Sequence, residues 1–325
     1  MDFSNIKIEK ELQIVFMGTP EFSVPVLQGL IDNYKVRAVV TQPDRKGNHG
    51  QINISPVKKL AQDKAILVLQ PEKIKEDYQE IINLKPDLIV TCAYGQIIPK
   101  ELIECPRLGC INVHASLLPK LRGGAPIHKA IIEGHSKTGI TIMYMNTKMD
   151  EGDIITQEEI PILDTDTASL LHDKLSILGK ELLLKTLPNI INGTNSRIKQ
   201  DSSQATYAFT LKKEDEKLNF NKTARQIYNQ IRGLNSWPGA YCIFEGKILK
   251  VWDSFITENY PIGFNGEITA IYKEGIGVKV SNGEIVLKIV QPEGKNKMDA
   301  ISFINGLRDK NIVGKVLEWK KLLNL

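Results

Sequence analysis

The sequence predicts an α/β protein, a doubly wound parallel sheet with a second, smaller β-barrel domain, and three observations carry that prediction. Apolar, strand-like runs alternate with helically spaced segments from Leu12 to Ile191, which calls for parallel strands joined by crossover helices on both faces. Asn192 to Thr206, NGTNSRIKQDSSQAT, is almost without apolar residues and full of turn formers, as an interdomain linker is. Beyond it come short strand-like runs at Tyr241–Phe244, Ile248–Val251, Gly266–Tyr272, Gly277–Val280 and Ile285–Val290, the pattern of a small open barrel of the OB type. The expected division is a Rossmann-like domain over residues 1–194, a linker over 195–209 and an OB-like domain over 210–325. A chain of 325 residues is long enough for two cores.

Taken in order, Leu12–Met17 is an apolar run ending at Gly18-Thr19-Pro20, and Phe22, Val26, Leu27, Leu30 and Ile31 then follow helical spacing. Val36–Val40 is the next strand, Thr41–Ile54 a polar loop, Pro56–Asp63 a short helix and Ile66–Leu69 a strand. Ile74–Leu84 is helically spaced, Asp87–Cys92 is a strand, and Ala93-Tyr94-Gly95-Gln96 makes the turn after it. Two further strands, around Ile111 and from Gly139 to Tyr144, precede a long helix over Thr165–Ile191 that closes the first domain. In the second domain Thr223–Leu234 is helical.

Bulk composition describes an ordinary globular protein, 42% hydrophobic and 25% charged, with no apolar run long enough to span a bilayer. The polar start, MDFSNIKIEKE, lacks the apolar segment of a signal peptide, so a cytoplasmic protein with a short frayed extension is expected. Four scattered cysteines, with no CxxC pair, argue against zinc or a disulfide framework. Cys92 and Cys110 lie in apolar strands and read as small buried hydrophobes. Residues 1–209 carry 24 Lys+Arg against 25 Asp+Glu, and residues 210–325 carry 18 against 13. The positive surplus in the second half suits an anionic partner such as RNA.

The chemistry concentrates in Gly109–Ile127, GCINVHASLLPKLRGGAPI, and in the acidic turn Met149-Asp150-Glu151-Gly152-Asp153. Asn112 and His114 are two residues apart on one strand, so their side chains leave the same face. If this strand and Gly139–Tyr144 are neighbours, Asp150 joins them at the strands' carboxyl ends, and an amide, an imidazole and a carboxylate can together polarise a carbonyl and move protons. Each has an ordinary alternative as a turn former, a cap or a satisfied histidine; in combination, beside a loop with two prolines and paired glycines, they point to catalysis. The glycine turn at Gly18 lacks the GxGxxG spacing of a dinucleotide site, and Walker, HExxH and GxSxG motifs are absent.

The stretches Asn-Val-His-Ala-Ser-Leu-Leu-Pro from Asn112, Arg-Gly-Gly-Ala-Pro from Arg122 and MDEGDII from Met149 resemble the 10-formyltetrahydrofolate-dependent formyltransferases. Phe16–Phe22, Ala93-Tyr94-Gly95 and Arg232–Ala240 extend the resemblance over nearly the whole chain, toward the members that act on tRNA. It implies transfer of a formyl group from 10-formyltetrahydrofolate to the α-amine of methionine on initiator tRNA, by direct attack through a tetrahedral intermediate and without a metal. Asn112 and a protonated His114 suit an oxyanion, and Asp150 would orient the imidazole and help to move the amine's proton. The resemblance further implies that Ser116, Leu117, Leu118 and Pro119 wall the folate site and that Tyr94, Gly95, Gln96 and Ile97 line its pterin pocket, with core packing the alternative for Ile97. Arg122–Pro126 would be structural support. Arg45 and Lys46 lie in a loop that would reach the tRNA acceptor end, although GNHGQIN after them is less basic than the family's pattern. Lys212, Lys213, Lys247, Lys250, Arg308 and Lys310 would face the acceptor stem. Formyl transfer to a small amine, such as an amino sugar nucleotide, is the rival within the family, and a folate- or RNA-binding module without catalysis is the rival outside it. A monomer is the default expectation.

Overall fold

A computed structural model describes residues 12–46 and 52–318; the expected frayed extension at 1–11 and the tip of the Thr41–Ile54 loop lie outside these. The chain divides into two compact units, the first comprising Met1–Pro126, Lys137–Pro161 and His172–Phe209, the second Ile127–Ser136, Ile162–Leu171 and Thr210–Leu325. In chain order the elements up to the linker are β1 (Ile14–Gly18), α1 (Val24–Asn33), β2 (Val36–Val40), β3 (Arg45–Lys46), β4 (Ile52–Asn53), α2 (Pro56–Asp63), β5 (Leu67–Leu69), α3 (Gln79–Asn83), β6 (Leu88–Cys92), α4 (Lys100–Glu104), β7 (Cys110–His114), α5 (Pro126–Ile132), β8 (Lys137–Tyr144), β9 (Ile154–Pro161) and α6 (Ala168–Ile191).

The first unit is built on a seven-stranded sheet of order β5-β2-β1-β6-β7-β8-β9. β5, β2, β1, β6 and β7 are parallel, whereas β8 and β9 run antiparallel to their neighbours. The sheet is therefore mixed where a wholly parallel one is expected from the alternation, and β9 is an additional strand. Its sequence, IITQEEIP, buries only Ile154 and Ile155 and exposes Gln157, Glu158 and Glu159. Charges on an edge strand protect it from unwanted pairing and erase the periodicity that identifies a strand. At the centre, Ile14, Val15, Phe16 and Met17 are wholly buried, each stabilising the fold by roughly 1.5–3 kcal/mol.

The order of strand addition reverses between the parallel neighbours β1 and β6, with β2 and β5 laid down on one side and β6 and β7 on the other, so their carboxyl ends form the switch point at which doubly wound sheets bind ligands. α2 starts where the sequence places it because Ser55 Oγ accepts from Lys58 N and Pro56 occupies the first turn. The polar loop before it contains the short β3–β4 ribbon, with Arg45 opposite Asn53 and Lys46 opposite Ile52. The ribbon's base is fixed by Gln70 Nε2, which donates to Gln42 O at 2.9 Å and Asp44 Oδ1 at 3.0 Å, and by an Asp44–Lys58 ion pair. That lysine, then Gln70, holds the Asp44 carboxyl below its ordinary pKa.

The second unit contains α7 (Ala224–Gly233), β10 (Ala240–Phe244), β11 (Lys247–Ile256), β12 (Ile268–Tyr272), β13 (Gly275–Val280), β14 (Gly283–Pro292), β15 (Met298–Asp299) and α8 (Ala300–Asn305). Thr223 and Gln226 form a capping box at the start of α7. The antiparallel sheet runs β10-β11-β14-β13-β12. Glu318 bridges to Ile243 in β10 and Val316 bridges to Glu267 before β12, so one short segment joins both edges and closes the sheet into the expected small barrel. Phe220, Ile227, Ile231, Val251, Val278 and Leu287 fill its core. No helix among the described residues is long and apolar enough to cross a membrane.

Candidate active site

β7 presents Asn112 and His114 on one face, and the order of the sheet decides what surrounds them. Thr91 Oγ1 in β6 donates to Asn112 Oδ1 at 2.8 Å, its single proton shared with Ile111 O at 3.1 Å. This fixes the amide with its oxygen consumed. Among the described residues nothing accepts from Asn112 Nδ2, so both its protons are available.

His114 is 6% exposed, and its Nε2 lies 3.1 Å from Leu121 O. A carbonyl can only accept, so Nε2 carries the proton of that bond. Nδ1 then faces Asp150 Oδ1 across 3.8 Å, beyond hydrogen-bond length. The pair is aligned but not closed.

Asp150 comes to His114 by a different route from the one its sequence position implies. β8 is antiparallel to β7, with His114 opposite Thr141 and Ile111 opposite Tyr144, so the two carboxyl ends do not meet. Instead the turn after β8 folds back, tied by Tyr144 N donating to Asp153 O at 2.9 Å. Gly152 permits this, since a Cβ there would lie 1.8 Å from Tyr144 O. Asp150 itself sits at φ 49°, a left-handed conformation that a short acidic side chain tolerates better than most.

The RGGAP segment and the expected linker brace that turn. Gly123 N donates to Asp150 Oδ2 at 2.8 Å; at φ 117°, with a Cβ position 2.7 Å from Ala208 O, only glycine fits there. Arg122 is 1% exposed and its Nε and Nη2 donate to Gln200 Oε1 at 3.1 and 2.8 Å. Gln200 Nε2 in turn donates to Asp150 O and Gly152 O, both at 2.8 Å. Residues 195–209 are thus no free tether: Ile198 pairs with Ile154, Thr206 O accepts from Arg122 N, and Ala208 exchanges bonds with Arg122 and Ala125. Two of their polar side chains are spent on the first unit's backbone, Gln200 on the Asp150 turn and Thr206 Oγ1 on Leu121 N. Arg122 Nη1 lies 3.4 Å from Glu151 Oε2, and Glu151 is held below its ordinary pKa first by its hydrogen bond from Lys148.

The expected folate-wall residues divide. Leu118 packs with Met143 and Ile154, and its backbone is used internally: Leu118 N donates to Thr141 Oγ1 at 3.2 Å and Leu118 O accepts from Gln157 Nε2 at 2.9 Å. Ser116 is buried, Oγ donating to Lys120 O at 2.6 Å and O accepting from Thr141 Oγ1 at 2.6 Å. Leu117 and Pro119 remain half-buried. Tyr94 does not offer its ring as a pocket lining. It is buried among Val15, Met17, Val40 and Ile98, where burial pushes its hydroxyl up to about 12, and its carbonyl accepts from Thr19 Oγ1 and Gln42 Nε2, each at 3.1 Å. Gly95 follows at φ 92°, and Gln96 Oε1 accepts from Ile74 N at 2.9 Å. Ile97 is 70% exposed, which excludes its alternative as a core residue and leaves an apolar side chain open beside the switch point. Arg45 is exposed; Lys46 is described only in its backbone.

Cys92 and Cys242 are buried, with burial pushing both thiols up to about 12, and burial raises Cys110 as well. Thr91, Gln200 and the Gly123 amide escape sequence reasoning because each acts on a residue distant in the chain.

Residues 12–187 match the family model described as formyl transferase, and residues 210–308 match that of the formyl transferase C-terminal domain. The chain is 52% identical over 301 residues to a methionyl-tRNA formyltransferase of Geobacillus sp. (strain WCH70), covering 91% of this chain and 94% of the relative. It is 52% identical over 299 residues to the enzyme of that name from Bacillus subtilis (strain 168), covering 90% and 94%. Among solved structures it resembles WlaRD, a sugar 3N-formyl transferase crystallised in the presence of dTDP and 5-N-formyl-THF, with a TM-score of 0.65 at 23% identity over 88% of this chain and 99% of that one. An N-formyltransferase from Helicobacter canadensis, in complex with folinic acid and dTDP-3-aminofucose, gives 0.65 at 22% identity over 86% and 99%.

Proposed function

This chain belongs to the formyl transferase family, and on that premise we propose that it transfers the formyl group of 10-formyltetrahydrofolate to the α-amine of methionine carried by initiator tRNA. The observation that carries the reading is one strand face on which Asn112 keeps a free amide and His114 faces Asp150. Relatives about half identical across both units, named for methionyl-tRNA, support the acceptor.

The co-substrate supplies an activated formyl carbon, and the exposed apolar Ile97 beside Gly95, at the switch point, suits its flat heterocycle. When the amine attacks, one N–C bond forms and the formyl bond to the folate nitrogen breaks; the amine loses a proton and that nitrogen gains one. Asn112 Nδ2 donates to the oxygen as it gains charge. Asp150 takes the amine's proton, directly or through water, and with His114 forms the relay that returns it to the leaving nitrogen. The Arg122–Gln200 brace keeps Asp150 in its left-handed turn during the exchange. Residues 1–194 would hold the chemistry, with 195–209 strapped to it, while Arg45 and Lys46 and the barrel domain of 210–325 hold the tRNA. The enzyme would act as a cytoplasmic monomer.

Offering the protein 10-formyltetrahydrofolate together with charged initiator tRNA, free methionine, glycinamide ribonucleotide or amino sugar nucleotides tests the reading. Formylation of the tRNA is expected; formylation of a small amine alone would overturn it. Arg45→Ala should weaken tRNA binding more than folate binding.

A further inference from the structure

The barrel domain carries a cationic aromatic cluster. Trp252 in β11 is buried, its Nε1 donating to Gln291 Oε1 at 3.0 Å, with Gly239 against its ring. Two lysines share that ring: Lys297 Nζ stands 3.4 Å and Lys250 Nζ 5.4 Å from its centroid. Cation–π attraction holds them there, and Lys250 Nζ also donates to Pro238 O at 2.8 Å. Among the described residues neither has a carboxylate within 4.0 Å. Burial, then the Lys250 charge, lowers the Lys297 pKa, a strain on the two amines that an incoming anion would relieve. Pro238 follows Trp237, whose indole is 70% exposed and meets His128 edge-on at 6.2 Å. A pair of cations on the Trp252 ring, one of them bonded to the carbonyl of the residue after an exposed indole, is suited to a ligand that offers an anion and a flat π-surface together. A nucleotide does so, whereas an acidic peptide supplies only the anion.

We propose that Trp237, Lys250 and Lys297 form a nucleotide-binding patch, in which the Trp237 indole stacks on an unpaired base of the RNA substrate and the two lysines take an adjoining phosphate. This rests on the reading of the substrate as a tRNA. Stacking on an aromatic side chain tolerates any base, so the patch adds affinity and position without reading sequence.

The test measures binding of initiator methionyl-tRNA to the full-length protein across a salt series, with a single-stranded oligoribonucleotide as second probe. The double variant K250Q/K297Q should bind the tRNA about tenfold more weakly and lower the slope of log affinity against log salt by roughly 0.7–0.9 for each phosphate no longer neutralised. Trp237→Ala should bind on the order of tenfold more weakly with the slope unchanged, and Trp237→Phe should retain most of the affinity. Wild-type affinity and slope in both the double variant and Trp237→Ala would overturn the patch and leave the proposed function standing. A wild-type protein that ignores the tRNA yet binds the oligoribonucleotide through these residues would remove the function and keep the patch. Binding to neither RNA would overturn both.

Discussion

Glu284 in β14 and Asp150 in the turn after β8 are both withdrawn from bulk water, yet their surroundings are opposite. Glu284, 1% exposed, accepts from Thr257 Oγ1 at 3.0 Å, Asn259 Nδ2 at 3.2 Å, Thr269 Oγ1 at 2.6 Å and Tyr272 Oη at 2.9 Å. Burial works to raise its pKa, but those four bonds outweigh it and hold the carboxyl below its ordinary value. Among the described residues the Asp150 carboxylate accepts from the Gly123 amide alone, at Oδ2, and leaves its second oxygen 3.8 Å from His114 Nδ1. A fully satisfied buried carboxylate holds a fold together, whereas one held rigidly with a spare oxygen is equipped to exchange a proton. Under the proposed function, the same amino-acid chemistry would serve stability in the barrel and reaction in the sheet, according to how many partners the fold provides.

The largest effect is expected at His114: His114→Gln should lower single-turnover transfer by about 10²- to 10⁴-fold while the melting temperature moves by only a few degrees, and retained turnover would remove the imidazole from the mechanism. Glu284→Gln should do the reverse, costing about 2 kcal/mol in chemical denaturation and leaving the turnover of the folded enzyme unchanged. Because the folded pKa of Glu284 is depressed, its contribution is present above its ordinary value of 4.5 and is lost as pH falls through the lower folded value. The variant's stability should therefore change less than the wild type's across that acid limb; parallel acid titrations of the two would contradict the assignment.

Between these extremes lies Gln200, which touches backbone rather than reacting groups. Gln200→Ala should slow transfer about tenfold by loosening the Asp150 turn, and a fall in KM-independent rate without loss of folate affinity would show it. The smallest change is expected from Thr91→Val, which removes the donor that fixes the Asn112 amide. A loss of one hydrogen bond corresponds to roughly fivefold in rate, and an unchanged rate would show that Asn112 is held by other means.

Much of this arrangement is legible in the sequence. Asn112 and His114 declare a shared face by their two-residue spacing, and Pro56 behind Ser55 marks α2 to the residue. Strand β9 is hidden because an edge strand with Glu158 and Glu159 buries too little to show alternation. Tyr94 and Leu118 carry the family's motif yet turn their side chains into the core, since a motif states which residues recur and not which way they point. The polar stretch after Asn192 resembles a linker by composition, but Gln200 and Thr206 spend that polarity on hydrogen bonds to Arg122, Leu121 and the Asp150 turn. Pairings between residues so far apart in the chain leave no local periodicity to read.

In the proposed reaction Asp150 acts through its charge and not through its shape. Asp150→Asn preserves an acceptor for the Gly123 amide and removes only the carboxylate's ability to take a proton. With folate and methionyl-tRNA saturating, the single-turnover formylation rate of this variant should fall by about 10²-fold or more at an unchanged melting temperature. A rate within twofold of the wild type would show that the Asp150 carboxylate takes no proton in the reaction.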